Sequence, residues 1–211
     1  MDRTPQTPLA RVLKSVVSLF CLVHGSTQDA AGWDLLVSEL ERLRHEVARM
    51  TLPDNTPDAS ATHYAAVIAQ SIPAGRDDAI VVAHSASGLI LPLVIAKRRV
   101  RRLIFLAAVI PQVGKSFYDQ INENKDMLNP DWVGKDPTKE EQVALQFLFH
   151  DCSPEVSKWA LSTLRLKFAR QAMLEVCPLR FWPSVASSYI LCLDDRTVRA
   201  GLVPPCREGT P

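Results

Sequence analysis

The stretch Ala79-Ile80-Val81-Val82-Ala83-His84-Ser85-Ala86-Ser87-Gly88 constrains this chain more than any other. Ile80 to Ala83 is a short apolar run of strand character, and a serine among small residues follows it at once. The apolar run Leu89 to Ala96 comes next and predicts a helix. Strand, sharp turn and helix in that order make a nucleophile elbow, commonly written G-x-S-x-G, whose turn lifts a serine hydroxyl clear of the end of a sheet. Here the pattern reads Ala83-His84-Ser85-Ala86-Ser87, with small residues in place of both glycines. Strand and helix pack closely at such a turn, so alanine and serine fit where a bulky side chain would not. The plainer use of a serine between strand and helix is an N-cap, and the rest of the chain has to decide between the two.

Val16 to Val23 is a continuous, valine-rich apolar run, as expected of a buried parallel strand, and it ends in the polar loop His24-Gly25-Ser26-Thr27-Gln28. From Trp33 to Val47 the apolar residues Trp33, Leu36, Val37, Leu40 and Leu43 fall at helical spacing. Val47 to Leu52 predicts a second strand, and Pro53 to Asp58 carries turn chemistry. A helix is expected from Ser60 or Thr62 to Ile72, closed by Pro73 and Gly75. After the elbow, Val100 to Val109 predicts another strand. This alternation predicts an α/β protein: a mainly parallel sheet with flanking helices, joined by right-handed crossovers. Such sheets bind ligands beyond the carboxyl ends of their strands, where His24 and Ser85 both fall.

The pattern changes after Gln112. Lys139 to Phe149 and Pro154 to Leu166 predict helices within a segment of roughly seventy residues, too long for a simple loop. Its expected place is a helical cap above the strand ends; the alternative is an ordinary pair of crossover helices. Ser188 to Leu193 predicts a final strand, followed by Asp194-Asp195-Arg196. The resulting plan is a loose leader (1–15), a first core part (16–111), the cap (112–184), a second core part (185–199) and an irregular tail (200–211).

The formal net charge of +1 gives no electrostatic case for nucleic acid or an anionic membrane. Arg3, Arg11 and Lys14 precede an apolar run as in a signal peptide, but that run serves better as the first strand. The five cysteines are scattered, with no C-x-x-C pair, which predicts reduced thiols and a cytoplasmic protein. Histidines and carboxylates show no metal-ligand spacing, so neither metal nor other cofactor is expected.

His24-Gly25-Ser26 after the first strand, Ser85 on the elbow and Asp195 after a late strand stand in a consistent order, and together they resemble the α/β-hydrolase superfamily. Trp33, the run Phe149-His150-Asp151-Cys152 and the run Tyr189 to Asp195 extend the likeness, which is greatest to the small cofactor-free esterases related to plant methylesterases and hydroxynitrile lyases. The resemblance implies a small apolar ester as substrate and Ser85 as the nucleophile. It implies the backbone N–H groups of Ser26 and Ala86 as the oxyanion donors. It implies Asp195, with Asp194 as neighbouring alternative, as the acid that orients a base histidine.

The other histidines have quieter expected places. His24 is read as a structural loop residue, His84 as turned away from Ser85, His45 as a solvated helix end and His63 as part of a helix start. His150 is read as a cap residue with an equally bland place, and it is the only one for which a position over the cavity stands as an alternative.

In this superfamily the order is Ser, then acid, then His. After Asp195 come sixteen residues, none of them histidine. A strand plus a helix needs on the order of thirty residues, so the last strand, the base-bearing loop and the closing helix are expected to be missing from this chain. Three functions follow: an impaired ester hydrolase, a non-catalytic binder of a small apolar ligand, or, as a third, a lyase of hydroxynitrile type. The unpaired edge of the last strand further predicts self-association.

Overall fold

β1 (Leu19–Val23) and β3 (Ile80–His84) carry nearly unbroken apolar side chains and are buried on both faces, as inner strands of a parallel sheet must be. In the computed structural model, which describes residues 17–53, 56–166 and 168–199, they form the middle of a five-stranded sheet. With β2 (Glu46–Met50), β4 (Arg102–Leu106) and β5 (Ala186–Ile190), the order is β2-β1-β3-β4-β5, and every neighbouring pair is parallel. The leader 1–15, Val16 and the tail 200–211 lie outside the described residues.

Strand alternation sorts the core into two layers. Cys21, Val23, Val81, Ala83, Leu103 and Phe105 face one side, where they meet α2 (Ala61–Ser71). Leu22, Ile80 and Val82 face the other, against Trp33 and, from α1 (Asp34–Arg42), Val37 and Leu40. Ser60 caps α2 by accepting from the His63 N–H at 3.0 Å. Among the described residues, four helices stand between β4 and β5: α3 (Phe117–Glu123), α4 (Glu141–Phe147), α5 (Pro154–Ser162) and α6 (Arg170–Leu174).

Several boundaries differ from expectation, each for a local reason. β1 begins at Leu19. The helix expected to reach Val47 is a 3-10 turn (Ala30–Trp33) followed by α1, and it stops at Arg42 because Arg44 takes φ +64° and the chain turns into β2. His45 is therefore not a solvated helix end. Its Nδ1 accepts from the Ser18 N–H at 3.3 Å, and its ring meets Phe20 edge-on at 5.2 Å. Leu36 and Leu43 are exposed rather than core-facing.

The helix expected over Leu89 to Ala96 is instead a pair of 3-10 turns, Ser85–Leu89 and Leu91–Ala96. Pro92 has no N–H to give an α-helix there, and bonds of the tighter type appear: Ile90 N–H to Ser87 O at 3.1 Å and Leu93 N–H to Ile90 O at 2.9 Å. β5 runs Ala186–Ile190 rather than Ser188 to Leu193. Its partner β4 ends at Leu106, where Ala107 takes φ +42°, and the Ala107 N–H to Ile190 O bond at 3.0 Å is the last rung. α3 and α6 were not expected. α3 opens on a capping box in which Ser116 and Asp119 satisfy each other's N–H groups.

Among the described residues no helix is long and apolar enough to cross a membrane. The described cysteines, Cys21, Cys152, Cys177 and Cys192, are free thiols.

Candidate active site

β1 and β3 are paired in register, with Val23 beside Ala83, so the loops after them leave the sheet at one level. The chain runs from β1 outward to β2 on one side and from β3 outward to β4 on the other. At such a reversal the two loops part and leave a crevice beyond the strand ends. His24-Gly25-Ser26 forms one lip and Ser85-Ala86 the other.

Ser85 takes φ +55°, a left-handed conformation unusual for a residue with a side chain. Strain of this kind costs about 1–3 kcal/mol and persists only where the surroundings over-determine it. Three contacts do so here. The Val109 N–H donates to the Ser85 carbonyl at 3.0 Å. The hydroxyl of Ser87, fully buried, donates to the His24 carbonyl and ties the two lips together. Gly88 packs so closely that a methyl group there would lie 2.1 Å from the Val109 carbonyl oxygen. The glycine need of the elbow has thus moved one residue past the usual motif, which explains how Ala83 and Ser87 can hold the motif positions. Gly25 serves the opposite lip, where a methyl group would stand 3.0 Å from both His84 Nδ1 and Ser85 Cβ.

Above the lips lies a cavity of about 600 Å³, within the usual range for small-molecule sites. Ser26, Ser85, Ala86, Asp194 and Asp195 all border it. Apolar wall comes from the helical segment between β4 and β5, including Phe117, Leu128, Trp132 and Phe149. Ala86 is the second residue of a 3-10 turn, so its N–H has no partner within the turn. Asp195 Oδ1 accepts from the Thr197 N–H (2.7 Å), the Thr197 hydroxyl (2.8 Å) and the Val198 N–H (3.1 Å), which fixes its carboxylate in its own turn.

The histidines separate clearly. His24 is buried; its Nε2 accepts from the Leu52 N–H at 3.1 Å, which leaves Nδ1 to carry the proton toward Gly25 O at 2.8 Å. Both nitrogens are committed to holding the loop. His150 borders the cavity, with Nε2 at 3.0 Å from the Asp194 carbonyl. His84 is the one read as turned away from Ser85. Alternation puts it on the Trp33 face, and its ring meets Trp33 edge-on at 6.2 Å, yet it also borders the cavity that Ser85 borders. Burial pulls the His84 ring down to about 4, with Asp195 pulling weakly the other way, so it is neutral at pH 7. Sequence reasoning missed His84 as a cavity residue and Gly88 as the packing point. Only the glycine left a readable signal, its place one residue beyond the motif. Among the described residues, no group of three or more His, Cys, Asp or Glu could hold a metal ion.

A parallel sheet, an elbow serine at a reversal point and a cavity over the strand ends define an α/β hydrolase. A sequence model described as the alpha/beta hydrolase family matches residues 22–208, and the chain belongs to that family. Among its relatives, the alpha/beta hydrolase nvfD of Aspergillus novofumigatus is 24% identical, over 84% of this chain and 78% of that protein. Of solved structures, polyneuridine aldehyde esterase superposes with a TM-score of 0.67 at 21% identity, covering 88% of this chain and 84% of that one. The methylesterase MES16 from Arabidopsis does so with a TM-score of 0.68 at 19% identity, covering 88% and 82%. At such identities the structures speak for the fold.

Proposed function

We propose that this chain is a serine hydrolase of small, largely apolar carboxylic esters, working without metal or other cofactor. The observation that carries the reading is Ser85: a strained, half-buried serine at the end of an inner strand, opening on a cavity of about 600 Å³. Ser85 Oγ attacks the ester carbonyl. The N–H groups of Ser26 and Ala86 hold the oxyanion, and each such donor is worth about a hundred- to a thousandfold in rate. Asp195, which borders the same cavity, supplies negative charge there. The two esterases named above among the structural neighbours support an ester as the substrate class.

A serine hydroxyl needs a base. Within these 211 residues no histidine follows Asp195. His84 and His150 are the histidines bordering the cavity, and His150 is engaged by the Asp194 carbonyl. For these 211 residues as they stand, the proposal is weak hydrolysis, on the level of roughly a thousand- to ten-thousandfold over water that serine hydrolases keep without a triad member, and seen with activated esters. The second reading, a non-catalytic binder of the same ligands, is favoured by Asp195, whose Oδ1 is spent on three hydrogen bonds within its own turn.

A fluorophosphonate probe separates the two. Labelling of the folded 211-residue chain that disappears in Ser85→Ala supports the hydrolase. A folded chain that takes no label rules it out and leaves the binder.

A further inference from the structure

The Ser26 N–H makes no hydrogen bond among the described residues, so it is unspent, as an oxyanion donor must be. The chain is fixed on either side of it. On the inner side His24 is buried and held by Leu52 and Gly25. On the outer side the loop pairs with residues that follow α5, far along the chain. The Arg165 N–H donates to the Thr27 carbonyl at 3.0 Å and the Asp29 N–H to the Thr163 carbonyl at 3.1 Å. Gln28 and Leu164, between these bonds, are partners in an antiparallel bridge.

Leu164 is buried and packs with Ala144, Phe149 and Ala160 in a small apolar core of its own, apart from the two layers on the sheet. Thr163, also buried, donates its hydroxyl to the Ala160 carbonyl at 2.8 Å. The bridge therefore joins the Ser26 lip to a packed unit. Phe149 of that unit borders the cavity that Ser85 borders, whereas Leu164 and Arg165 do not. The two oxyanion donors thus have different foundations. Ala86 stands on the elbow and the sheet core. Ser26 stands on a loop beyond the sheet, and the segment between β4 and β5 holds the loop's outer end. Such donors act through preorganisation, and a displacement of about 1 Å at a reacting centre can cost about a hundredfold in rate.

We propose that the pairing of Thr27 and Asp29 with Thr163 and Arg165 is the positioning element of the oxyanion hole, and that Leu164, which anchors it, is a positioning residue for the Ser26 N–H. The proposal rests on the hydrolase reading above and adds to it: the segment between β4 and β5 both walls the cavity and sets the place of one oxyanion donor. Opening the pair leaves the cavity wall and Ser85 where they are and frees Ser26 to shift. Bond formation at Ser85 then slows, while binding in the cavity stays the same.

The test is the rate of fluorophosphonate attack on Ser85, in which Oγ displaces fluoride from phosphorus and the phosphoryl oxygen takes the oxyanion position. Rates over a range of probe concentration separate kinact from KI, at a temperature where urea unfolding shows each chain to be folded. Arg165→Pro removes the N–H that Thr27 accepts, and Arg165→Ala removes the side chain but keeps that N–H. Arg165→Pro should lower kinact about tenfold or more, complete loss of an oxyanion donor being worth about a hundred- to a thousandfold. Its KI should stay within about twofold, and Arg165→Ala should label like the parent. If Arg165→Pro does not fold, Leu164→Ala loosens the anchor with every N–H kept, and Val143→Ala is its control, truncating a buried side chain of α4 outside the pair and the cavity wall. In that comparison kinact should be about threefold or more lower in Leu164→Ala. A folded Arg165→Pro with the parent kinact, a loss shared by Arg165→Ala, a change confined to KI, or equal kinact in Leu164→Ala and Val143→Ala overturns the positioning role and leaves the hydrolase standing. A folded parent chain that takes no label removes the hydrolase and the positioning role together.

Discussion

The parts of the cavity wall that carry Ser85 and Asp195, here its serine end and its acid end, are built in opposite ways. The serine end stands on β1 and β3, inner strands with a neighbour on each side and side chains buried on both faces. Ser87 ties one lip to the other, and Gly88 is in close contact with the backbone at Val109. The acid end stands on β5, which has β4 on one side and, among the described residues, no strand on the other. Around it Phe181 (76%) and Leu193 (79%) are largely exposed, with Ile190 and Leu191 close to half.

Asp194 to Arg199 are held less by the sheet than by the segment between β4 and β5. Asn129 Nδ2 donates to the Arg196 carbonyl at 2.8 Å, the Asn129 N–H to the Thr197 carbonyl at 2.9 Å and the Arg199 N–H to the Met127 carbonyl at 3.1 Å. The comparison teaches that a strained turn needs a tight, two-sided core to hold it. An unstrained aspartate turn can be held by backbone bonds at the surface.

The largest expected effect breaks the serine end. Gly88→Ala places a methyl group 2.1 Å from the Val109 carbonyl oxygen, so backbone must move. We expect a loss of more than about 3 kcal/mol in urea unfolding, at or beyond the upper end for overpacking. Gly134→Ala is the matched control outside that packing: φ is +83°, but nothing lies within 4 Å, so the cost is backbone strain alone, about 1 kcal/mol. Similar losses at the two sites would mean that the serine end is no more tightly determined than a surface turn.

The next effect reads the same end through pH. Burial holds the folded-state value of His84 at about 4, below the unfolded value of about 6.5. The unfolded chain therefore binds more protons between those limits, and stability falls as pH drops from about 6.5 toward 4. Above about 6.5 His84 exerts no pH-dependent effect, and below about 4 its contribution is constant. The full shift is worth about 3 kcal/mol, and the ring is only half-buried, so about 2 kcal/mol is expected. Urea midpoints at pH 7 and pH 4.5, compared between the parent chain and His84→Gln, measure it. The variant should lose less stability on acidification by about that amount, and an identical loss in both would place the ring in water.

Much of this architecture was legible in the residues, because its inner strands are the part that sequence describes best. A run such as Ile80 to Ala83 must be buried, and burial on both faces implies a parallel sheet with helices on each side. That Ser26, Ser85, Ala86 and Asp195 border one cavity followed from each standing after a strand in a sheet whose strands all point one way. What stayed hidden depends on single backbone angles and on packing across the chain. Nothing in Leu106-Ala107-Ala108 announces the φ of +42° that ends β4 and so fixes where β5 stops. Pro92 could have warned of the 3-10 turns, and Ser116 with Asp119 of α3. His84 meets Trp33 and also borders the cavity, which strand alternation alone does not express.

The smallest effect on stability belongs to the acid end, and it carries the sharpest contrast. Ile190 lies on an outer strand of the described sheet and is 48% exposed, so truncating or charging it removes little buried surface. Ile190→Lys should change the urea midpoint by less than about 0.5 kcal/mol. Val81→Ala on the inner strand, where the side chain is fully buried, should cost about 2 kcal/mol or more. The edge has a different liability. Ala186-Ser187-Ser188-Tyr189-Ile190 contains no charge and no proline, the usual means by which an edge strand avoids pairing with another chain. A second copy pairing there would extend the sheet and cover Ile190 and its exposed neighbours. Sedimentation of the parent chain across a hundredfold range of concentration should show reversible association, and Ile190→Lys should shift it toward monomer with its fold intact. A parent chain that stays monomeric throughout would remove the association. An association unchanged by Ile190→Lys would move it from this edge to another surface, and the contrast between the two ends would then rest on stability alone.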